Sequence, residues 1–197
     1  MSQTVSDSTK AGYLAPTSVS SADSDIELAT IFQGAVVGIV GLPGNMVRPR
    51  WQPQPPPMPP PNVDWCAIGV TVQSPIDFPV LKMSPDGTQA LQRQEEITVQ
   101  ASFYGLNAQS NAGLLRDGIF VAQNLDVLAA NGIKLITAGE IVQAPDLRNE
   151  QFIGRCDLPL RFRRQVDRVY PVRYLVSAPD TITLDAGVVA TGTIEPP

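Results

Sequence analysis

Glu95-Glu-Ile-Thr-Val-Gln-Ala-Ser-Phe-Tyr104 decides how this chain folds. Ile97, Val99, Ala101 and Phe103 alternate with Glu96, Thr98, Gln100 and Ser102, which is the period of two that places one set on each face of a strand. The segment reads as a half-buried antiparallel strand ending at Gly105. Beyond it, Ala108, Ala112, Leu115, Ile119 and Ala122 recur at three and four, with Leu114 and Val121 widening the stripe, so residues 108–123 are expected to form an amphipathic helix. A second turn or short helix over 125–130 is closed by Asn131-Gly132. Residues 134–142 read as a strand. Residues 155–169 read as a longer one, with Leu158, Leu160, Phe162 and Val166 on a common face. Short strands over 174–176 and 181–184 follow, and the tail from Gly187 reads as loose.

On the N-terminal side, Pro75, Pro79, Pro85 and Asp86-Gly87 mark a loop. Before it, 65–72 (Trp-Cys-Ala-Ile-Gly-Val-Thr-Val) is nearly all apolar and suits a strand buried on both faces. Seven of the nine residues from 53 to 61 are proline, which excludes helix and sheet interior and favours polyproline II, roughly 28 Å long at about 3.1 Å per residue. Upstream, Ser24 or Asp25 caps a helix whose stripe is Ile26, Ala29, Ile31, Phe32, Val36 and Val37. Gly38, Gly41, Pro43 and Gly44 stop it, and Gly34, Gly38 and Gly41 permit close packing. The fold class is therefore α+β, a mainly antiparallel sheet packed with two or three helices, with extended N-terminal and Pro-rich arms. Residues 1–22 form a disordered or extended arm, 23–186 one domain including the strut 48–61, and 187–197 a loose tail.

Composition narrows the function. The chain of 197 residues carries no histidine, so hydrolases built on Ser-His-Asp or Cys-His, histidine metal sites and histidine acid-base pairs are excluded. Three lysines and no clustered acidic motif leave little for carboxylate or lysine catalysis, and no enzyme, cofactor or metal is expected. Cys66 and Cys156 lie in apolar runs without metal spacing and read as small buried hydrophobes. The start lacks a signal sequence and no apolar run reaches about 20 residues. A soluble chain made in the cytoplasm, away from membranes, is expected.

Arginine concentrates late: Arg148, Arg155, Arg161, Arg163, Arg164, Arg168 and Arg173 face only Glu150, Asp157 and Asp167 in that stretch, against a whole-chain charge of −5. Clustered arginines suit phosphate, yet the acidic total and the lack of an aromatic stacking motif favour contact with an acidic surface of another copy. Arg161, Arg163, Arg164 and Arg168 are candidate contact residues. So are Arg48, Arg50, Trp51, Pro55, Pro56 and Pro57 of the strut, which reads as an internal strut or a subunit-contact arm, with an SH3-type or WW-type ligand as the alternative. Glu95 and Glu96 point to opposite faces and cannot share a proton, and Asp146 with Glu150 makes a weak metal pair.

In order along the chain, RPRWQPQPP at 48–56, DWCAIGV at 64–70, SFYG at 102–105 and LLRDGIFVAQN at 114–124 resemble the neck or tail terminator proteins of tailed bacteriophages. The likeness continues through 145–150 and the arginine strand after Cys156. It implies a structural virion protein made in the host cytoplasm. Six copies would form a ring on the head-proximal end of the tail tube, stopping its polymerisation and joining the tail to the head connector. The partners implied are a homo-hexamer, the tail tube, sheath protein and the head-tail connector, with DNA passing a central pore unread. Another head-completion, connector or baseplate protein is the alternative reading, and a Pro-rich adaptor a further one.

Overall fold

The computed structural model describes residues 13–19, 25–83, 89–148, 150–172, 178–184 and 187–194. Two long antiparallel strands form its axis: β5 (Gln89–Tyr104) and β10 (Arg155–Tyr170), each 16 residues and paired along their whole length from Arg155↔Tyr104 to Tyr170↔Gln89. On the β5 flank lie β3 (Trp65–Pro75) and β4 (Val80–Met83), both antiparallel, with β2 (Val47–Pro49) parallel to β3 at the edge. The β10 flank carries β6 (Ile133–Ala138), β7 (Val142–Gln143) and β1 (Ser18–Val19). These eight strands make one sheet. Two small antiparallel pairs stand apart from it, β8 (Asp146–Arg148) with β9 (Gln151–Ile153) and β11 (Ala178–Leu184) with β12 (Gly187–Ile194).

Three helices cover one face of the sheet: α1 (Asp25–Val40), α2 (Ala108–Gly118) and α3 (Ala122–Ala130). Beneath them the alternation of the central strands delivers Ile97, Val99, Ala101 and Phe103 from β5 and Leu158, Leu160 and Phe162 from β10, all buried. Phe32 of α1 meets Phe162 with ring centroids 4.9 Å apart. The seam of α1 is Leu28, Phe32 and Val36, while Ile26 is exposed. A helix apolar nearly all round has no sharp stripe, so its period alone does not single out this face.

Several boundaries differ from the sequence expectation. The loop after β3 contains the short strand β4, and β6 and β7 replace one strand over 134–142. Gly139 N–H still donates to the Pro159 carbonyl at 2.8 Å, but the three residues 139–141 face only two of β10, Leu158 and Pro159, and the ladder lapses there before β7 resumes it. The expected helix 108–123 breaks after Gly118, and Asn124 Nδ2 donates to the Gly118 carbonyl at 2.8 Å to fix the elbow. Ala122 therefore opens α3, and Leu114 and Val121 are half exposed instead of widening a buried stripe. α1 runs through Gly38 and stops at Gly41, whose φ of 82° ends it.

Gly34 and Gly38 face open space, and the close helix contact is made by Gly118, where a Cβ would lie 2.5 Å from Ile39 Cγ2. At the C-terminus, 187–194 is the second strand of a hairpin where a loose tail is expected. Residues 1–12, Ser24 and the expected strand 174–176 lie outside the described residues. No helix among those described is long and apolar enough to cross a membrane.

Candidate interface site

The strut segment is the return path of a parallel crossover. β2 lies on β3 in the register Val47↔Cys66 to Pro49↔Ile68, and Arg50 N–H continues it to the Ile68 carbonyl at 2.8 Å. Both strands run the same way, so the chain between them must travel back along the sheet edge. Trp51 makes the reversal with φ 56°. Residues 55–60 carry no regular structure. Arg48 Nη1 donates to the Pro57 carbonyl at 2.8 Å, Pro59 is buried, and Val63 N–H donates to the Pro60 carbonyl at 3.0 Å. Pro55, Pro56 and Pro57 are exposed.

The outer edge of β2 is closed. Pro49 has no N–H to offer, the Val47 carbonyl accepts from Gln33 Nε2 at 2.7 Å, and the Pro49 carbonyl accepts from Gln52 Nε2 at 2.9 Å. Proline at this position is a common way to stop a further strand from adding.

On the face away from the helices, two rows of side chains cross the sheet at right angles to the strands. In the first, Trp65, Tyr104 and Arg155 share one register level. The Trp65 and Tyr104 rings stack at 4.2 Å and 7°, with Arg48 over Trp65 at 5.6 Å and Arg155 over Tyr104 at 5.7 Å. Each cation–π contact contributes about 0.5–1 kcal/mol. Burial pushes the Tyr104 phenol above its ordinary pKa. In the second row Arg50 Nη2 donates to Ser102 Oγ, and Ser102 O–H donates to Asp157.

Arg155 grips Asp157 with two N–H groups at 2.9 and 2.8 Å and reaches Asp146 at 3.2 Å. The two-pronged bond to Asp157 pushes the Arg155 guanidinium up. Asp146 is therefore committed to an ion pair, and the described residues hold no group of three or more acids or cysteines able to bind a metal.

Arg48, Arg50, Trp65, Ser102, Tyr104 and Gly105 thus meet at one end of the sheet, although their motifs lie far apart in sequence. The brace holds Trp51 outward: its ring lies against Gly69, with Arg50 at 6.0 Å, and 71% of its surface is exposed. An open groove of about 960 Å³ runs from Trp51 and Pro53 to Ile26 and Ala29 of α1. A bulky residue at positive φ is uncommon, and such positions cluster at binding surfaces.

The arginines of β10 divide by strand parity. Arg161 points outward and pairs with Glu96. Arg163 is exposed and has no ion pair among the described residues. Arg164 shares the parity of Phe162 and Val166, so it goes inside, 3% exposed, and meets Glu95 at 3.1 Å. Gln73 Nε2 donates to the same carboxylate at 2.8 Å. Arg168 is half-buried opposite Leu91 and Val19. Glu95 and Glu96 do face opposite ways, each with its own arginine.

Arg163 stands across from Glu96 on one side and Lys134 on the other, so Arg163→Glu exchanges one attractive and one repulsive cross-strand neighbour for the reverse and is expected to leave the thermal midpoint within about 2 °C. Arg161→Glu sets two carboxylates against each other and lowers it measurably. Differential scanning fluorimetry of the two variants separates these outcomes.

Both cysteines are free and buried. They sit on the core face on either side of Phe103, two strand spacings or about 9.5 Å apart, beyond the reach of a disulfide. Burial pushes both thiols up. At pH 8 neither is expected to react with iodoacetamide in the folded protein, whereas both react in denaturant, as intact mass after labelling would show.

A family described as phage neck terminator protein matches residues 27–192. The chain belongs to that family. It is a structural protein of the phage neck, and its described surface carries braces and exposed apolar side chains. No curated protein sequence matches the chain.

Proposed function

We propose that this neck terminator closes the head-proximal end of the tail tube as a ring, stops tube growth and joins the tail to the head connector while leaving a pore for DNA. Six copies complete the ring in this reading. The observation that carries it is the family match, which spans every strand of the sheet but β1, all but the first two residues of α1, both other helices and the crossover strut. The surface supports it as well. Trp51 stands exposed on a turn braced by Arg48 and Arg50, and a rigid exposed tryptophan is the kind of side chain that anchors a protein interface.

In this account Arg48, Arg50 and Pro55 to Pro57 act as the frame that presents Trp51 at a partner boundary. Arg163 supplies a positive charge on the open sheet face toward an acidic partner surface, with Arg161 beside it, while Arg168, of the same parity as Arg164, contributes from the other face of the projecting end. Arg164 serves from inside, holding the strand that carries them. The tube, sheath and connector are the partners.

The test is tube growth. Added to elongating tail tubes, the protein should shorten the mean tube length in proportion to its concentration, and Trp51→Ala should lose most of that effect at unchanged stability. Tubes whose length ignores the wild-type protein would refute the capping role.

A further inference from the structure

We propose that neighbouring copies in the ring meet head to tail, the β4 strand of one copy seated on the α2–α3 elbow of the next. The inference rests on the ring reading above and names its contact. Among the described residues β4 has β5 as its partner on one side and no strand on the other. Its side chains alternate between faces, yet Val80, Leu81 and Met83 are 55%, 60% and 64% exposed and Phe78, just before it, 95%. Both faces and the outer edge are therefore bare. A short apolar strand left this way invites another chain. The β2 edge on the same flank is closed by Pro49, and the outer edge of β3 beyond β2 carries Thr71, Gln73 and Ser74 beside Val72, whereas β4 presents mostly apolar side chains.

The elbow offers a surface of matching character on the opposite flank. Phe120, Val121 and Val127 are 57%, 51% and 65% exposed. They sit on a firm base, because Ile119, next to Phe120, is buried and Asn124 ties the elbow to Gly118. α3 packs on β6, beside β10, whereas β4 lies beside β5. Two different patches on opposite flanks of one chain are what a ring requires, since a heterologous contact closes by rotation.

Charge also fits. Lys82 and Asp77 accompany the strand, and Asp126 and Lys134 accompany the elbow; all four are exposed and without an ion pair among the described residues. Each patch thus brings one free cation and one free anion, enough to fix register without a large gain in affinity.

Cysteine cross-linking on assembled rings tests this. The native thiols are buried, so Leu81→Cys combined with Val127→Cys should give, on oxidation in the presence of tail tubes, a covalent ladder rising from dimer to a closed species. Either substitution alone should remain monomeric on a denaturing gel. Cross-linking by Leu81→Cys alone would show a two-fold contact and overturn the proposal. Rings seen by electron microscopy without a ladder would overturn the contact and leave the ring reading standing. Absence of rings from wild-type protein on tubes would remove both.

A charge exchange gives an independent reading. Lys82→Glu and Asp126→Lys should each weaken assembly about three- to fivefold, and together restore it to within about twofold. Failure of the pair to restore assembly would overturn the assignment of these two charges to one contact.

Discussion

Arg164→Met with Glu95 left in place is expected to destabilise the fold by about 3–5 kcal/mol, because it strands a buried carboxylate without its cation. Glu95 is 6% exposed and Arg164 3%. The carboxylate would keep the Gln73 amide as a side-chain donor, too little to replace a charge partner. Replacing both, as Glu95→Leu with Arg164→Met, removes the charges together and is expected to lie within about 1–2 kcal/mol of the wild type. Urea unfolding of the two single variants and the double variant measures this. A single variant as stable as the wild type would show that the pair is not buried in solution.

The pair sits where the helix-covered part of the sheet gives way to its projecting end. Ile97 and Phe162 stand on one side of it, and β4 and β1 flank the central strands on the other. Its removal therefore loosens the base from which β4 projects, and assembly should suffer along with stability.

Gly105→Ala is the second large effect, expected to cost about 2–4 kcal/mol. Gly105 has φ 106°, and a Cβ there would lie 2.4 Å from Asp64 Oδ1 and 2.7 Å from the Val63 carbonyl. Asp64 is not free to retreat. Its two carboxylate oxygens accept from Asn107 N–H at 3.0 Å and Asn107 Nδ2 at 2.7 Å, which anchors the start of α2. The substitution thus strains the exit of β5, the entry of β3 and the first turn of α2 together. Gly132→Asn is the control: φ is 71° and no atom lies within 4 Å of a Cβ, so this helix-terminating position accepts asparagine at a cost of a few tenths of a kcal/mol. Comparing their urea midpoints separates backbone conformation from crowding.

Much of this was legible in the residues. The alternation in 95–104 and 155–169 found the two central strands, their core faces and the antiparallel α+β class, because a strand with one covered face writes its period directly into sequence. The same parity, applied to Arg164, places it with Phe162 and Val166 on the inside; grouping it with Arg161 and Arg163 follows the charge cluster at the expense of the pleat.

β4 was hidden for a different reason. Pro79 and the turn residues around it read as loop, and Val80, Leu81 and Met83, three exposed apolar residues out of four, show no alternation when neither face is covered. The break between α2 and α3 leaves no strong signal either, since Leu114, Val121 and Val127 look like stripe positions while facing outward. The brace was half visible. RPRWQPQPP, DWCAIGV and SFYG were each apparent, but only the parallel pairing of β2 with β3 and the shared register of Trp65, Tyr104 and Arg155 bring them together. Such cross-strand neighbours are set by tertiary register, which no local period encodes.

The most direct measurement is cryo-electron microscopy of tail tubes assembled in the presence of the protein, with the tube ends distinguished by polarity. The account predicts a single ring of this chain at the head-proximal end of each tube, with β4 of one copy against the elbow of the next and the pore open along the tube axis. Copies spread along the tube wall, or rings at the opposite end, would contradict it.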